Sequence, residues 1–425
     1  MLNRKETPDR QPIGHVELIA PEELCFPNGM RVFVFRAEGQ ALLRAEFIFQ
    51  NLFPRPESPL RNACLSHMLK EGTASMSSAQ IAGEVDFHGA YLLPEYHYDR
   101  TALTLYTLTK HLSAVLPIVR DVLGHSVFPE TELQTYVRNN KQKLQVSMRK
   151  NDYVARKLFH NALFGGTRYG ETPTAEAYDA IRRDDLIELY HRQIRPENCT
   201  LILSGNVTDT ALAQIRELFV LQWENRGGEG FFEPPVLPVF RPEKIVEERS
   251  DALQSAIRLG VPCINRSHPD FPALQFANTL FGGYFGSRLM RNIREEKGYT
   301  YGIGSALVNL KHGGFFTIAS EVGAEATQAA LHEIRREMDI LRTDLAPEEE
   351  VERVKNYMLG AMLGSLESIF SHADKFKAVH FQGLDLSFYG RNNDIVRSMT
   401  PERVRQIAET YFDHAEMLEV VVGRI

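Results

Sequence analysis

The sequence predicts an α+β protein of two similar domains, each a mostly antiparallel sheet packed with helices, and three observations carry that expectation. The first is an early hairpin. In "ELCFPNGMRVFVF", Asn28-Gly29 stands between two apolar runs, and an Asn-Gly step supplies the positive φ angles of a tight turn. Hairpins and helix pairs then follow without strict β-α-β alternation, which argues against a doubly wound parallel sheet. The third is an internal repeat: "AIRRDDLIELYHRQIRPENCTLILSG" (Ala180 to Gly205) lies on "SMTPERVRQIAETYFDHAEMLEVVVG" (Ser398 to Gly423) without a gap. Both read as a helix with an acidic start, a short turn, and a buried strand ending in glycine.

After the hairpin, "AEFIFQ" reads as a strand, "RNACLSHMLKEGT" (residues 61–73) as a helix, and Ser77 to His88 as a second helix. "TALTLYTLT" alternates in the manner of a half-buried strand. "HLSAVLPIVRDVLGH" is helical in pattern, and one long helix is expected from Glu130 to Phe164. The stretch "WENRGGEGFFEPPVLPVFRPE", dense in glycine and proline, breaks both helix and strand. It divides the chain into domains at 1–225 and 244–425 with a linker at 226–243. Two domains suit 425 residues at roughly 100–200 per domain.

Composition removes several function classes. A net charge of -7 gives no electrostatic reason to attract nucleic acid. No run of 18 apolar residues occurs, so no membrane span is expected, and the N-terminal stretch has no apolar segment of the secretory kind. Cys25, Cys64, Cys199 and Cys263 are far apart and make no C-x-x-C pair. A reducing cytoplasm is the simplest location.

The helix around His67 raises the question of a metal. Leu60, Ala63, Cys64, His67 and Met68 follow the spacing of one helical face, which turns His67 inward. A zinc site on a helix needs ligands at i and i+4 with a carboxylate nearby to act as base. The i-4 position here is Ala63, so His67 taken alone reads as a buried, hydrogen-bonded core histidine. His97 and Asp99 in "PEYHYD" alternate onto one face but have no third ligand at useful spacing, which makes a surface loop the simpler reading.

A family resemblance joins these pieces. "SHMLKEGTASMSSAQIAGEVDFHGAYL" resembles the start of the pitrilysin/insulinase family of zinc metallopeptidases, which includes the mitochondrial processing peptidase and carries an inverted His-x-x-Glu-His motif. "TRYGETPTAEAYDAI", "LSGNV", "LFGGYFGSRLMRNIREEKGYTYGIGSAL" and "LEVVVGRI" resemble later family segments in the same order. The resemblance implies the two-domain fold already expected. It also shows what is missing: laid on His-x-x-Glu-His, this chain reads Ala63, Cys64, Leu65, Ser66, His67. The first ligand is alanine and the general base is serine. The family's third ligand is a glutamate further on. The register of "QVSMRKND" puts Gln145 there, and no glutamate occurs between Glu132 and Glu171. One neutral histidine holds no zinc ion, so no metal and no catalytic residue are expected in this chain, and zinc only in a partner. Restoring Ala63 to histidine and Ser66 to glutamate is not expected to rebuild the site without a carboxylate near Gln145.

A second constellation is kept. The family uses an arginine and a tyrosine seven positions later to reach the substrate, and Arg294 and Tyr301 in "REEKGYTY" stand at that separation. Guanidinium and phenol donors suit a peptide carbonyl and the oxyanion formed from it. Without the resemblance, Arg294 is a solvated charge in a last helical turn and Tyr301 a strand aromatic. "FGGYFGSR", with Gly282 and Gly283, lacks the Gly-Lys-Ser/Thr ending of a phosphate loop. By resemblance it faces substrate; otherwise it is a turn between helices. The adjacent Glu295 and Glu296 read as a solvated face.

The expected function is a non-catalytic subunit that binds an extended peptide, in part by strand addition to a sheet edge. It complements a zinc-bearing homologous subunit or a second copy of itself in a homo- or heterodimer. Two other readings stay open: a structural or peptide-binding protein with no enzymatic partner, and a zinc hydrolase with relocated ligands drawn from His67, His88 or His97.

Overall fold

The computed structural model describes residues 13–14, 16–53, 58–223 and 234–425. The first of its two sheets has six strands: β1 (Glu22–Cys25), β2 (Arg31–Arg36), β3 (Leu42–Gln50), β4 (Tyr91–His97), β5 (Arg100–Leu108) and β6 (Cys199–Gly205). Their order is β1-β2-β6-β3-β5-β4. The second has five: β7 (Lys244–Glu248), β8 (Gln254–Pro262), β9 (Thr300–Leu310), β10 (Gly313–Gly323) and β11 (Leu418–Gly423), in the order β7-β11-β8-β10-β9. Each sheet has one parallel pair, β2 with β6 and β7 with β11, and is otherwise antiparallel. The chain is therefore α+β with two similar sheets.

The repeat is structural. With Gly205 laid on Gly423, helix Arg183–Gln193 falls on helix Pro401–Tyr411 and the short 3-10 turn Pro196–Asn198 on His414–Glu416. The strands that follow, β6 and β11, are flanked on both edges, and their continuous apolar runs are buried on both faces.

The hairpin forms as β1 and β2, but with a longer loop than a two-residue turn. Only Gly29 takes a positive φ, +88°. Asn28 instead fixes the loop by its side chain, donating to the Phe219 carbonyl at 2.7 Å.

The helices that accompany the first sheet begin with α1 (Pro59–Met68), α2 (Ser78–Phe87), α3 (Leu112–His125), α4 (Glu130–Ser147) and α5 (Asn151–Phe164). Ser77 and Gln80 start α2 with a reciprocal capping box. The single helix expected from Glu130 to Phe164 is two. It breaks at 148–150, where Lys150 is extended, because the apolar face of α5 leaves its own sheet for the other one. Val154, Phe159, Leu163 and Phe164 pack on Ala256, Phe315, Leu418 and Val420. Gly260 permits the close approach, since a Cβ there would meet the Phe159 ring at 2.7 Å and the Phe316 carbonyl at 2.1 Å.

Helix Ile369–His380 makes the reciprocal crossing. Its Ile369, Ala373 and Phe376 cover Phe33, Phe35, Ile48, Ala102 and Ile202 on the outer face of the first sheet. This overturns the half-buried expectation for "TALTLYTLT": alternation gives one apolar face, but here a helix from far along the chain closes the other. Charges also bridge the junction. Arg44 pairs with Glu46 and Asp374 at 3.0 Å each, and Lys377 pairs with Glu46.

Of the glycine- and proline-rich linker, residues 224–233 lie outside the described residues, and 234–243 form neither helix nor strand. Among the described residues no helix is long and apolar enough to cross a membrane.

Candidate functional site

Helix α1 starts with Pro59 in its first turn, where a missing N–H costs no helical hydrogen bond, and it packs on β4 and β5. Leu60, Cys64, Leu65 and Met68 are buried, and so are Asn62 and Ser66. The inward placing of His67 is therefore corrected. The helix is buried around most of its circumference, and Ala63, His67 and Lys70 run along its open side. The buried face of α1 is centred one edge away from the stripe Leu60, Ala63, Cys64, His67 and Met68. His67 is 53% exposed in its side chain, with its ring 4.9 Å from that of Tyr136 on α4 and Nε2 3.9 Å from Glu71. Burial lowers its pKa and Lys70 and Lys143 add to that, while Glu71 opposes them.

Gln145 does not face this histidine. Tyr136 marks the side of α4 turned toward His67, and nine residues on is about two and a half turns, which puts Gln145 on the opposite side. Gln145 lines a groove with Ala175, Tyr178 and Arg182 instead. Seven residues on from Tyr136 is close to two whole turns, so Lys143 takes the His67 side, as its influence on that imidazole shows.

These residues do not fit a zinc ion. Ala63 presents a methyl, Ser66 is buried with no carboxylate, and Lys143 brings a positive charge. Cys64 is no substitute, since burial pushes its thiol up to about 12. Among the described residues no group of three His, Cys, Asp or Glu side chains is placed to hold a metal. His88 stacks near His111 at 5.3 Å, and His97 stands at the end of β4, so neither joins His67. Asp99 is engaged by the Tyr169 hydroxyl at 2.9 Å and lies 3.6 Å from Arg168.

The other half-site is assembled. Arg294, in the helical turn Met290–Glu296, donates from Nε to the carbonyl of Tyr301 at 3.0 Å, and its guanidinium lies 4.7 Å over the Phe285 ring. Tyr301, near the start of β9, is 94% exposed, which leaves its phenol free to reach another molecule. Glu295 and Glu296 are exposed, as a solvated face would be. Gly283 is exposed as well, but Gly282 turns inward: a Cβ there would meet Ser305 Oγ at 2.5 Å. Its place is packing of the glycine-rich loop on β9, and only Gly283 of the pair looks outward.

The structure does not bring the two half-sites together. Ala63 lines a cleft between the domains with Val308 to Lys311, at the far end of β9 from Tyr301. Nine strand residues span about 30 Å. Arg294 and Tyr301 line a separate hollow with Gln254, Tyr299 and Gly323. The edge strands differ too. Leu92 O accepts Lys70 Nζ from outside the sheet at 3.4 Å, and Pro94, of the same parity on β4, has no N–H to offer an added strand. Edge strand β9 has no proline.

Residues 64–175 match the family model described as insulinase (peptidase family M16), and residues 180–358 match the one described as the peptidase M16 inactive domain. The chain belongs to the M16 peptidase family. Among relatives of this M16 chain, the uncharacterized zinc protease YmxG of Bacillus subtilis (strain 168) is 26% identical over 319 residues, covering 74% of this chain and 77% of its own. An uncharacterized zinc protease of Rickettsia bellii is 24% identical, over 68% of this chain and 70% of its own. Two solved structures share the fold: a peptidase M16 inactive domain from Pseudomonas fluorescens and a protease from Helicobacter pylori. The first has TM-score 0.86 at 20% identity and covers 96% of this chain and 99% of its own. The second has TM-score 0.84 at 17% identity, with 96% and 100% covered.

Sequence reasoning missed the cations of the interdomain cleft, Arg100, Arg266 and Lys311. They come from three distant segments, so no local spacing could have linked them.

Proposed function

We propose that this M16 chain is a non-catalytic subunit that binds peptide and supplies Arg294 and Tyr301 to a zinc-bearing homologous subunit. The observation that carries this reading is the unequal fate of the two half-sites. The Arg294 to Tyr301 hydrogen bond and the exposed phenol are in place, while α1 offers one histidine with no carboxylate at Ser66 or Lys143. The strand-length separation between them means that a peptide bond held at Tyr301 meets no residue of this chain's own α1. A zinc ion on a partner would polarise the carbonyl, and Arg294 and Tyr301 would donate to the oxygen as it gains charge.

Mixing the purified chain with an M16 homologue that keeps the His-x-x-Glu-His motif and a fluorogenic peptide tests this. Turnover should rise on mixing, and Arg294→Ala should lower the mixed rate by about a hundredfold. Equal rates with both versions remove Arg294 from the chemistry. No stimulation by either favours a structural or peptide-binding protein without an enzymatic partner.

A further inference from the structure

The cleft between the domains has a volume of about 620 Å³, within the range that takes a small organic ligand or the end of a peptide. Leu60, Ala63, Val308, Leu310 and Phe381 give the lining its apolar part. The rest of the lining carries charge. Arg100, Arg266 and Lys311 belong to it, and none of the three has a carboxylate within ion-pairing distance among the described residues. Asp99 is already engaged by Arg168 and Tyr169, and Glu171 is the second carboxylate of the lining. Among the described lining residues, the cations Arg100, Arg266 and Lys311 stand with the carboxylates Asp99 and Glu171.

Among the described lining residues, Tyr96 Oη, Arg100 Nη1 and Gln382 Oε1 are buried and have no hydrogen-bond partner. Arg100 Nη1 is a donor, held in place because its guanidinium stacks 4.3 Å over the Phe381 ring. Gln382 Oε1 is an acceptor. Buried polar atoms without partners are costly and rare, so a pair of opposite kind in one cavity points to a ligand that satisfies both. The ligand needs an anion for the cations, an N–H for Gln382 and an apolar body for the apolar part of the lining. The last residue of a peptide has all three. Burial lowers the pKa of the Lys311 ammonium against the pull of Asp99, and Arg100 and Arg168 lower it further.

We propose that this cleft binds the C-terminal residue of a peptide, taking its carboxylate on Arg100 and Lys311, its backbone N–H on Gln382 and an apolar side chain against Leu60 and Phe381. The proposal rests on the peptide-binding part of the function above but not on the zinc-bearing partner.

Calorimetric titration of the full chain with N-acetyl-Leu-Phe, its C-terminal amide and 3-phenylpropanoate tests it. The free-acid peptide should bind about tenfold or more tightly than the amide, because a charge-assisted bidentate contact is lost. The phenylpropanoate should be weaker than the peptide acid by a similar factor. Arg100→Gln and Lys311→Gln should each weaken the acid about tenfold and leave the amide unchanged. Lys311→Gln keeps the test open if the loss of stacking on Phe381 unfolds the first variant. Equal binding of acid and amide overturns the assignment, even where Arg294→Ala still abolishes partner-dependent turnover. Phenylpropanoate matching the peptide acid overturns the peptide identity in favour of free organic acids. Binding of none of the three overturns the cleft and counts against peptide binding as a whole.

Discussion

Replacing Ala63 with histidine and Lys143 with glutamate in one chain should give a protein that holds one zinc ion, with an affinity at least about a thousandfold above that of the unmodified chain. Two imidazoles one turn apart on α1 converge on a single ion, and Lys143 is the α4 position on the side of Tyr136, whose ring touches His67. The same histidine combined with Gln145→Glu should bind no better than one imidazole pair alone, since Gln145 points away from α1. Metal analysis after dialysis and competition with a chromogenic chelator give the answer. Tight binding with the residue 145 version and not the residue 143 version would place residue 145, not residue 143, beside His67. Adding Ser66→Glu supplies the missing base, at an overpacking cost of about 1–3 kcal/mol because Ser66 is buried.

Glu46→Ala should destabilise the chain by about 3–5 kcal/mol, one of the largest losses expected from a single change. Glu46 is 2% exposed and sits between Arg44 and Lys377, one charge from each half of the sequence. Its removal leaves both cations with Asp374, which is half exposed and cannot compensate them in the interior. Chemical denaturation should show the lowered midpoint. Removing the whole group with Arg44→Met, Glu46→Leu and Lys377→Met should recover most of the loss, because the buried charges go together. A midpoint unchanged in Glu46→Ala means that the charges at this junction are solvated in solution.

Much of the fold was legible because the relevant signals are local. The repeat gave the matched helices, turns and central strands, and the family resemblance singled out Arg294 and Tyr301, which meet through the Tyr301 carbonyl. What was not legible depends on partners far along the chain. Periodicity reports that the apolar face of "NDYVARKLFHNALF" is buried but not that the second sheet buries it, so the break at 148–150 did not show. His67 was placed inward because its helical stripe looked continuous, yet Asn62 and Ser66 are buried in its stead. Gly282 is small for the sake of Ser305, a contact across the domain that no spacing records.

The crossing of α5 and helix Ile369–His380 bears on what becomes of incomplete chains. A fragment that ends before residue 369 contains every strand of the first sheet. It still leaves Phe33, Phe35, Ile48 and Ile202 bare to water, a contiguous apolar face of the kind that drives aggregation. The mirror fragment, beginning after the linker, strips Phe159 and Phe164 from Phe315 and Val420. A cut in the linker bares one such face on each half, because the helix that covers it is encoded on the other side of the cut.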